Sequence, residues 1–247
     1  MTAVATAYLP TPVATPPPSA AKSAAVASSA AALLKAKRQA APPYLPNRYD
    51  YRPTHPGLVR VEFGPEGEEF GSCLRAERDF AAGETLCPIR NTLPGLKAYS
   101  SVQVLPDPAL PPSSSLPTSY TTSAPSSPTR RHIELNSDLL YVNHSCDPNV
   151  VFDVNGREAE VEEQDETGKW EGRWRVRAEK DIKQGEILTF AYFSTEWHMD
   201  QPFSCLCGTA RCLGVIRGAE HIEKEVLDGY FVNGHIQAQK AHQLASQ

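Results

Sequence analysis

Alternation of apolar and polar positions is the first regularity along this chain. Residues 58–63 (LVRVEF) alternate apolar with polar, which predicts a strand with one buried face. Residues 71–86 predict strand, turn, strand, with Ala82-Gly83-Glu84 as the turn. A short strand is expected at 101–104 and another at 132–135, followed by a brief apolar run at 139–142. Residues 150–154 and 170–178 are two β-rich runs flanking a stretch with six acids between Glu158 and Glu166. They predict a hairpin with a solvated acidic tip. Residues 187–193 (ILTFAYF) predict a further strand. Only 219–245 reads as helical, as one or two helices with breaks at Gly229 and Gly234. Many short strands and few helices predict a mainly β (α+β) core, and no internal repeat is visible.

Composition adds two segments that this pattern does not reach. The chain has 247 residues, and its 22 prolines outnumber its 15 glycines. Residues 1–43 consist mostly of Ala, Pro, Ser and Thr and carry too little apolar surface to fold alone. They are expected to be a disordered tail; a targeting segment is the alternative, since acids are absent and Ala and Ser abound. Nucleus and cytosol are the default compartments and an organelle stays open. A second low-complexity stretch, 106–128, holds seven prolines among serines and threonines and is expected to be a loop insert. No apolar run reaches the roughly 18 residues a membrane span needs.

Charge is unevenly spread. Residues 1–49 carry five bases and no acid, whereas 50–247 carry 19 bases against 29 acids. Such an acidic body does not suit a phosphate backbone, so direct nucleic-acid binding is not expected. It suits a basic partner such as a lysine-containing peptide. The six cysteines come without an apolar secretory leader and are read as thiols or metal ligands rather than a disulfide frame.

Two segments carry chemistry. One is Asn143-His144-Ser145-Cys146-Asp147-Pro148-Asn149; the other is the C-x-C-x4-C run Cys205, Cys207, Cys212. Three thiolates on one tight loop suit tetrahedral Zn²⁺, and a structural zinc site wants a fourth ligand. Cys146 is the natural donor, with His144 and His198 as competitors.

With these motifs in view, the chain resembles the SET-domain protein-lysine methyltransferases that carry a post-SET zinc motif. Residues 143–149 are similar to the family's N-H-S-C-x-P-N motif, 185–192 (GEILTFAY) to G-E-E-L-T-F-D-Y, and 205–214 to the post-SET run. Residues 71–76 (GSCLRA) are similar to the strand that opens the fold. The resemblance covers about 57–214 and implies a SET domain at 57–196, a post-SET motif at 203–214 and C-terminal helices at 219–245. It implies a fold of short curved sheets with a threaded C-terminal segment. It also implies methyl transfer from S-adenosylmethionine to a neutral lysine amine in an apolar channel. Residue by residue, it implies cofactor contacts at Gly71, Ser72, Cys73, Asn143, His144 and Tyr192. Tyr192 would be the channel tyrosine, and Phe190 the position that tunes how many methyl groups are added. Cys146, Cys205, Cys207 and Cys212 would hold structural zinc.

The match departs from the family at four places. Cys73 replaces a glycine, Ala191 an aspartate and Leu140 a basic residue, and the insert that normally helps form the peptide groove is replaced by 106–128. These departures keep a second expectation open, a SET-fold binding module for a basic peptide that has lost catalysis.

Overall fold

A computed structural model describes residues 49, 51–66, 71–106, 131–160 and 170–246. The tail 1–43, nearly all of the 106–128 insert and most of the acidic tip lie outside the described residues. Residues 43–247 group as one unit.

Among the described residues, twelve short strands carry the fold, in chain order β1 (Val59–Glu62), β2 (Cys73–Ala76), β3 (Thr85–Pro88), β4 (Leu93–Gly95), β5 (Ser101–Gln103), β6 (His132–Glu134), β7 (Asn143–His144), β8 (Val150–Asp153), β9 (Arg175–Ala178), β10 (Thr189–Phe190), β11 (Phe203–Ser204) and β12 (Val215–Ile216). Two α-helices follow, α1 (Lys224–Leu227) and α2 (Gly234–Ala245). Short 3-10 turns sit at Asp138–Tyr141, Tyr192–Ser194 and Ala219–His221. The strands form five small sheets, with orders β1-β2, β10-β7, β11-β12, β3-β9-β8 and β4-β6-β5. This is the mainly β architecture expected, ending in short helices. No helix among the described residues is long and apolar enough to cross a membrane.

The hairpin expectation holds in register: β8 and β9 pair antiparallel, with Val150 opposite Ala178 and Asp153 opposite Arg175. The two strands of 71–86 form but do not pair with each other. β2 pairs with β1 and β3 with β9, because Phe80 bridges to Ile182 and leads the chain into a different sheet. The strand expected over 187–193 is corrected. Only Thr189–Phe190 is strand, since Ser194 N–H bonds back to Ala191 O and Glu196 N–H to Tyr192 O, which winds the chain into a 3-10 turn. Gly234 is likewise not a break but the first residue of α2. β4 was not legible because Pro94 occupies its centre, which an outer strand tolerates.

β7 and β10 are the exception among the antiparallel pairs. They run parallel, with Thr189 beside Asn143 and Phe190 beside His144. Two buried clusters support this junction. One contains Leu74, Phe80, Ile89, Ile133, Leu139, Phe152, Leu188 and Phe190. The other gathers Cys146, Phe193, Trp197, Ile216, Leu227 and Ile236 under the C-terminal elements. Each fully buried side chain of this size contributes about 1.5–3 kcal/mol relative to exposure.

Two polar anchors fix the ends of this frame. Asp138 is 1% exposed and accepts from Tyr51 Oη (2.7 Å), Thr54 N (2.9 Å) and His55 N (2.9 Å), which docks 51–55 onto the first 3-10 turn. Asn233, fully buried, sits just before α2. Its Oδ1 accepts from Val154 N (2.8 Å) and its Nδ2 donates to Phe152 O (2.9 Å) and Ser194 O (3.0 Å). β8 is an outer strand of its sheet, so this one amide meets the backbone groups a neighbouring strand would otherwise take.

Candidate functional site

The parallel β7–β10 pair puts both motif segments side by side. Ser145 N–H bonds Phe190 O, Asn149 N–H bonds Thr189 O, and Asn149 Oδ1 accepts from Thr189 N. Asn143 Nδ2 donates to Ser72 O at 2.9 Å, which links β7 to the 71–73 segment 71 residues earlier. Gly71, Ser72 and Asn143 are thus brought together. Cys73 starts β2 opposite Glu62; Leu74 and Ala76 of the same strand point into the core cluster, while Cys73 shares the other face with Arg75. Its thiol is pushed up by burial, which keeps it neutral.

His144 is half-buried. Its Nδ1 accepts from Tyr192 N–H at 3.1 Å, which leaves the neutral ring's proton on Nε2, 3.4 Å from Cys146 Sγ. Burial holds this imidazole down at about 4, so it stays neutral at ordinary pH. Aromatic edges enclose it: Tyr192 at 5.2 Å, Phe193 at 5.9 Å and Phe203 at 5.5 Å between ring centres. Phe203 was passed over in the sequence; its place two residues before the C-x-C run was the available signal.

Tyr192 and Phe190 line one narrow cavity of about 40 Å³, together with Leu139, Val142, Glu196 and Met199. The Tyr192 hydroxyl donates to Val142 O at 3.1 Å, and burial raises its pKa, so it remains a protonated donor. Phe190 stacks on Phe152, with ring centres 4.2 Å apart and a 26° tilt. Glu196, also missed in the sequence, is 6% exposed and its pKa is raised by burial. Its Oε1 accepts from Gln103 N (2.6 Å), and His132 Nε2 lies 3.7 Å from its Oε2.

The four cysteines converge. Cys146 from the end of β7 and Cys205, Cys207 and Cys212 from the loop between β11 and β12 place their sulfurs within 4.8 Å of one another. Cys146 Sγ and Cys205 Sγ are 3.8 Å apart. A tetrahedral zinc with Zn–S bonds near 2.3 Å has S···S edges of about 3.8 Å, so the donor set and spacing fit this ion. Three N–H groups point at these sulfurs: Leu213 N and His144 Nε2 at Cys146, and Cys207 N at Cys205. Such donors stabilise thiolate charge around a metal. Of the three competitors for the fourth position, Cys146 therefore joins the loop, His144 stands behind it as a hydrogen-bond donor, and His198 lies elsewhere. Tyr230 Oη donates to Cys146 O at 2.8 Å and covers the cluster from the α1–α2 connection.

A SET domain family model matches residues 71–193 of this chain. The methyltransferase flvH of Aspergillus flavus is 37% identical over 186 residues, which is 75% of this chain and 82% of that protein. The chain belongs to the SET domain family of methyltransferases. It is also similar to a histone-lysine N-methyltransferase of Emericella nidulans, H3 lysine-4 specific, at 34% identity over 80 residues. That match covers 31% of this chain and only 5% of the longer relative. A solved structure described as bearing on the product specificity of histone lysine methyltransferases overlaps 63% of this chain and 54% of its own, at 19% identity and a TM-score of 0.36. SET methyltransferases use S-adenosylmethionine, and the four-cysteine cluster, three of whose members follow the matched region while Cys146 lies within it, is consistent with a post-SET zinc site.

Proposed function

We propose that this protein methylates the ε-amine of lysine in a protein or peptide, with S-adenosylmethionine as donor. The observation that carries the reading is the shared cavity of Phe190 and Tyr192, with the Tyr192 hydroxyl fixed on Val142 O, one residue before Asn143 and two before His144. S-adenosylmethionine supplies a methyl group on a sulfonium. The chain's own task is to align an amine with it and to favour the amine's neutral form. Leu139, Val142 and Phe190 make one side of the cavity apolar, which disfavours a charged ammonium there, while Glu196 and Asp200 line the rest of it. The Tyr192 phenol, held protonated, is a fixed dipole beside the reacting centre.

The remaining roles follow the same reading. Asn143 spends its amide N–H on Ser72 and keeps Oδ1 to accept from a cofactor ammonium. Both His144 ring nitrogens face protein groups, so its cofactor contact would be made by backbone. Gly71, Ser72 and Cys73 would lie along the cofactor's amino-acid end. Cys146, Cys205, Cys207 and Cys212 would hold zinc and so keep the loop carrying Phe203 against Tyr192, whose rings are 6.0 Å apart. The acidic body and the histone-lysine relative favour a basic acceptor.

The test has two parts. Calorimetric titration of the zinc-replete protein with S-adenosylmethionine should show saturable one-to-one binding. Tyr192→Phe should then abolish methyl transfer to a lysine-rich acceptor while the fold is kept. Retained transfer in that variant removes the mechanism, and absent cofactor binding by a folded protein removes the reading.

A further inference from the structure

His198, a competitor for the zinc loop on sequence grounds, belongs to a different cluster. Its Nδ1 lies 3.0 Å from Glu220 Oε2, and His221 Nε2 lies 3.4 Å from the same oxygen. All three donor atoms fall within 4.8 Å of one another. A tetrahedral ion bound at about 2.0–2.1 Å to nitrogen and oxygen has ligand–ligand edges of roughly 3.3 Å. The two His–Glu distances straddle that value.

Hydrogen bonds fix the backbone beneath. Glu220 N–H bonds Trp197 O (3.1 Å), Ala219 N–H bonds Glu196 O (2.9 Å) and Met199 N–H bonds Arg217 O (2.8 Å). These bonds press the 196–199 segment against the 3-10 turn at Ala219–His221. Gly218 makes the approach possible: its φ is 111°, and a Cβ there would come within 2.3 Å of Trp197 O. The three side chains are 39%, 32% and 48% exposed for His198, Glu220 and His221. That leaves a path for an ion and room for water beside it.

We propose that His198, Glu220 and His221 form a second metal site, for a divalent transition ion of the zinc class, separate from the four-cysteine cluster. Two imidazoles and one carboxylate select such ions over calcium or magnesium, which prefer all-oxygen sites. Three protein ligands leave a coordination position for water or an outside ligand, unlike the closed four-thiolate set. Glu196 and Met199, on either side of this segment, line the cavity beside Tyr192. A bound ion therefore clamps one wall of that cavity to the C-terminal cover.

The test uses the full, untagged chain with its cysteine cluster already loaded, titrated calorimetrically with Zn²⁺. Wild type should bind one further equivalent in a saturable step. His198→Ala and Glu220→Gln should each raise the dissociation constant of that step by more than about tenfold, with unchanged circular dichroism. His242→Ala, an exposed histidine on α2, should leave the isotherm as it is. The inference fails if wild type shows no further equivalent, or if His198→Ala and Glu220→Gln match it. Glu220 would then be a hydrogen-bonded ion-pair partner of the two histidines and nothing more. Because the readout is metal binding, its failure is distinct from failure of the methyl-transfer reading.

Discussion

Replacing Asn233 by alanine should cost far more than the loss of one small polar side chain. Asn233 is 0% exposed and its amide makes hydrogen bonds of 2.8, 2.9 and 3.0 Å. Ser194 O keeps a partner in the variant, because the backbone N–H of residue 233 also bonds it at 3.1 Å. Val154 N–H and Phe152 O do not keep theirs, and both face the buried side of β8. Each buried backbone group left unsatisfied costs about 1–3 kcal/mol. Two such groups, plus the small cavity left behind, put the expected loss at about 3–5 kcal/mol, a large share of the ~5–15 kcal/mol by which domains are stable. Urea unfolding followed by tryptophan fluorescence measures it. Asn233→Asp separates the contributions, since a carboxylate can accept from Val154 N but cannot donate to Phe152 or Ser194. A loss below about 1 kcal/mol for Asn233→Ala would mean that water replaces the amide and that Asn233 does not seal the strand edge.

Three further outcomes are expected. Burial alone would lower the pKa of His55, but Asp138, 3.7 Å away, and Cys87 outweigh it and hold His55 up at about 10. The charged form is then favoured in the folded state. Its contribution is complete below about pH 6.5 and is lost as pH rises through about 10, by at most about 5 kcal/mol; unfolding in urea at both ends should show this slope, and His55→Gln should flatten it. Gly218→Ala should destabilise by about 3 kcal/mol or more, because φ 111° with ψ 170° is a region essentially reserved for glycine and the new methyl meets Trp197 O; a thermal midpoint within a degree of wild type would contradict it. With zinc in the four-cysteine cluster as proposed, a strong chelator should raise hydrogen exchange across 203–216 while β8 and β9 stay protected, and equal deprotection of both would mean the metal supports the whole fold.

How much of this was legible in the chain varied with the physics involved. Period-two alternation found β1, whose burial alternates along the strand, whereas β6 and the β8–β9 hairpin were legible only as β-rich runs, β8 being buried at all four of its residues. Alternation overextended β10, because 187–193 is apolar at every position but Thr189 and periodicity cannot mark where such a run leaves the sheet. The break there is made by backbone bonds from Ser194 and Glu196. β4, β11 and β12 are too short, or too interrupted by proline, to have a period at all. The cysteine spacing offered three candidate ligands and left the fourth open among Cys146, His144 and His198. Only the fold brings the Cys146 sulfur to the loop and sets His198 beside Glu220 and His221 instead. Asn233 and Glu196 carried no signal, since a buried polar residue looks in sequence like an exposed one.

The way Asn233 covers β8 also sets a clock on synthesis. Phe152 leaves the ribosome 81 residues before the amide that will satisfy its carbonyl. Cys146 precedes Cys205 by 59 residues, and His144 precedes the Tyr192 N–H it accepts by 48. At about 5–20 residues per second, the edge of β8 waits roughly 4–16 s without its cover. During that interval it presents open backbone groups on a buried-type, valine- and phenylalanine-rich strand, the kind of edge that pairs with a neighbouring chain. The yield of soluble protein should therefore depend on how fast the last third of the chain is made, and slowing translation between codons 155 and 233 should lower it even though the finished molecule is unchanged.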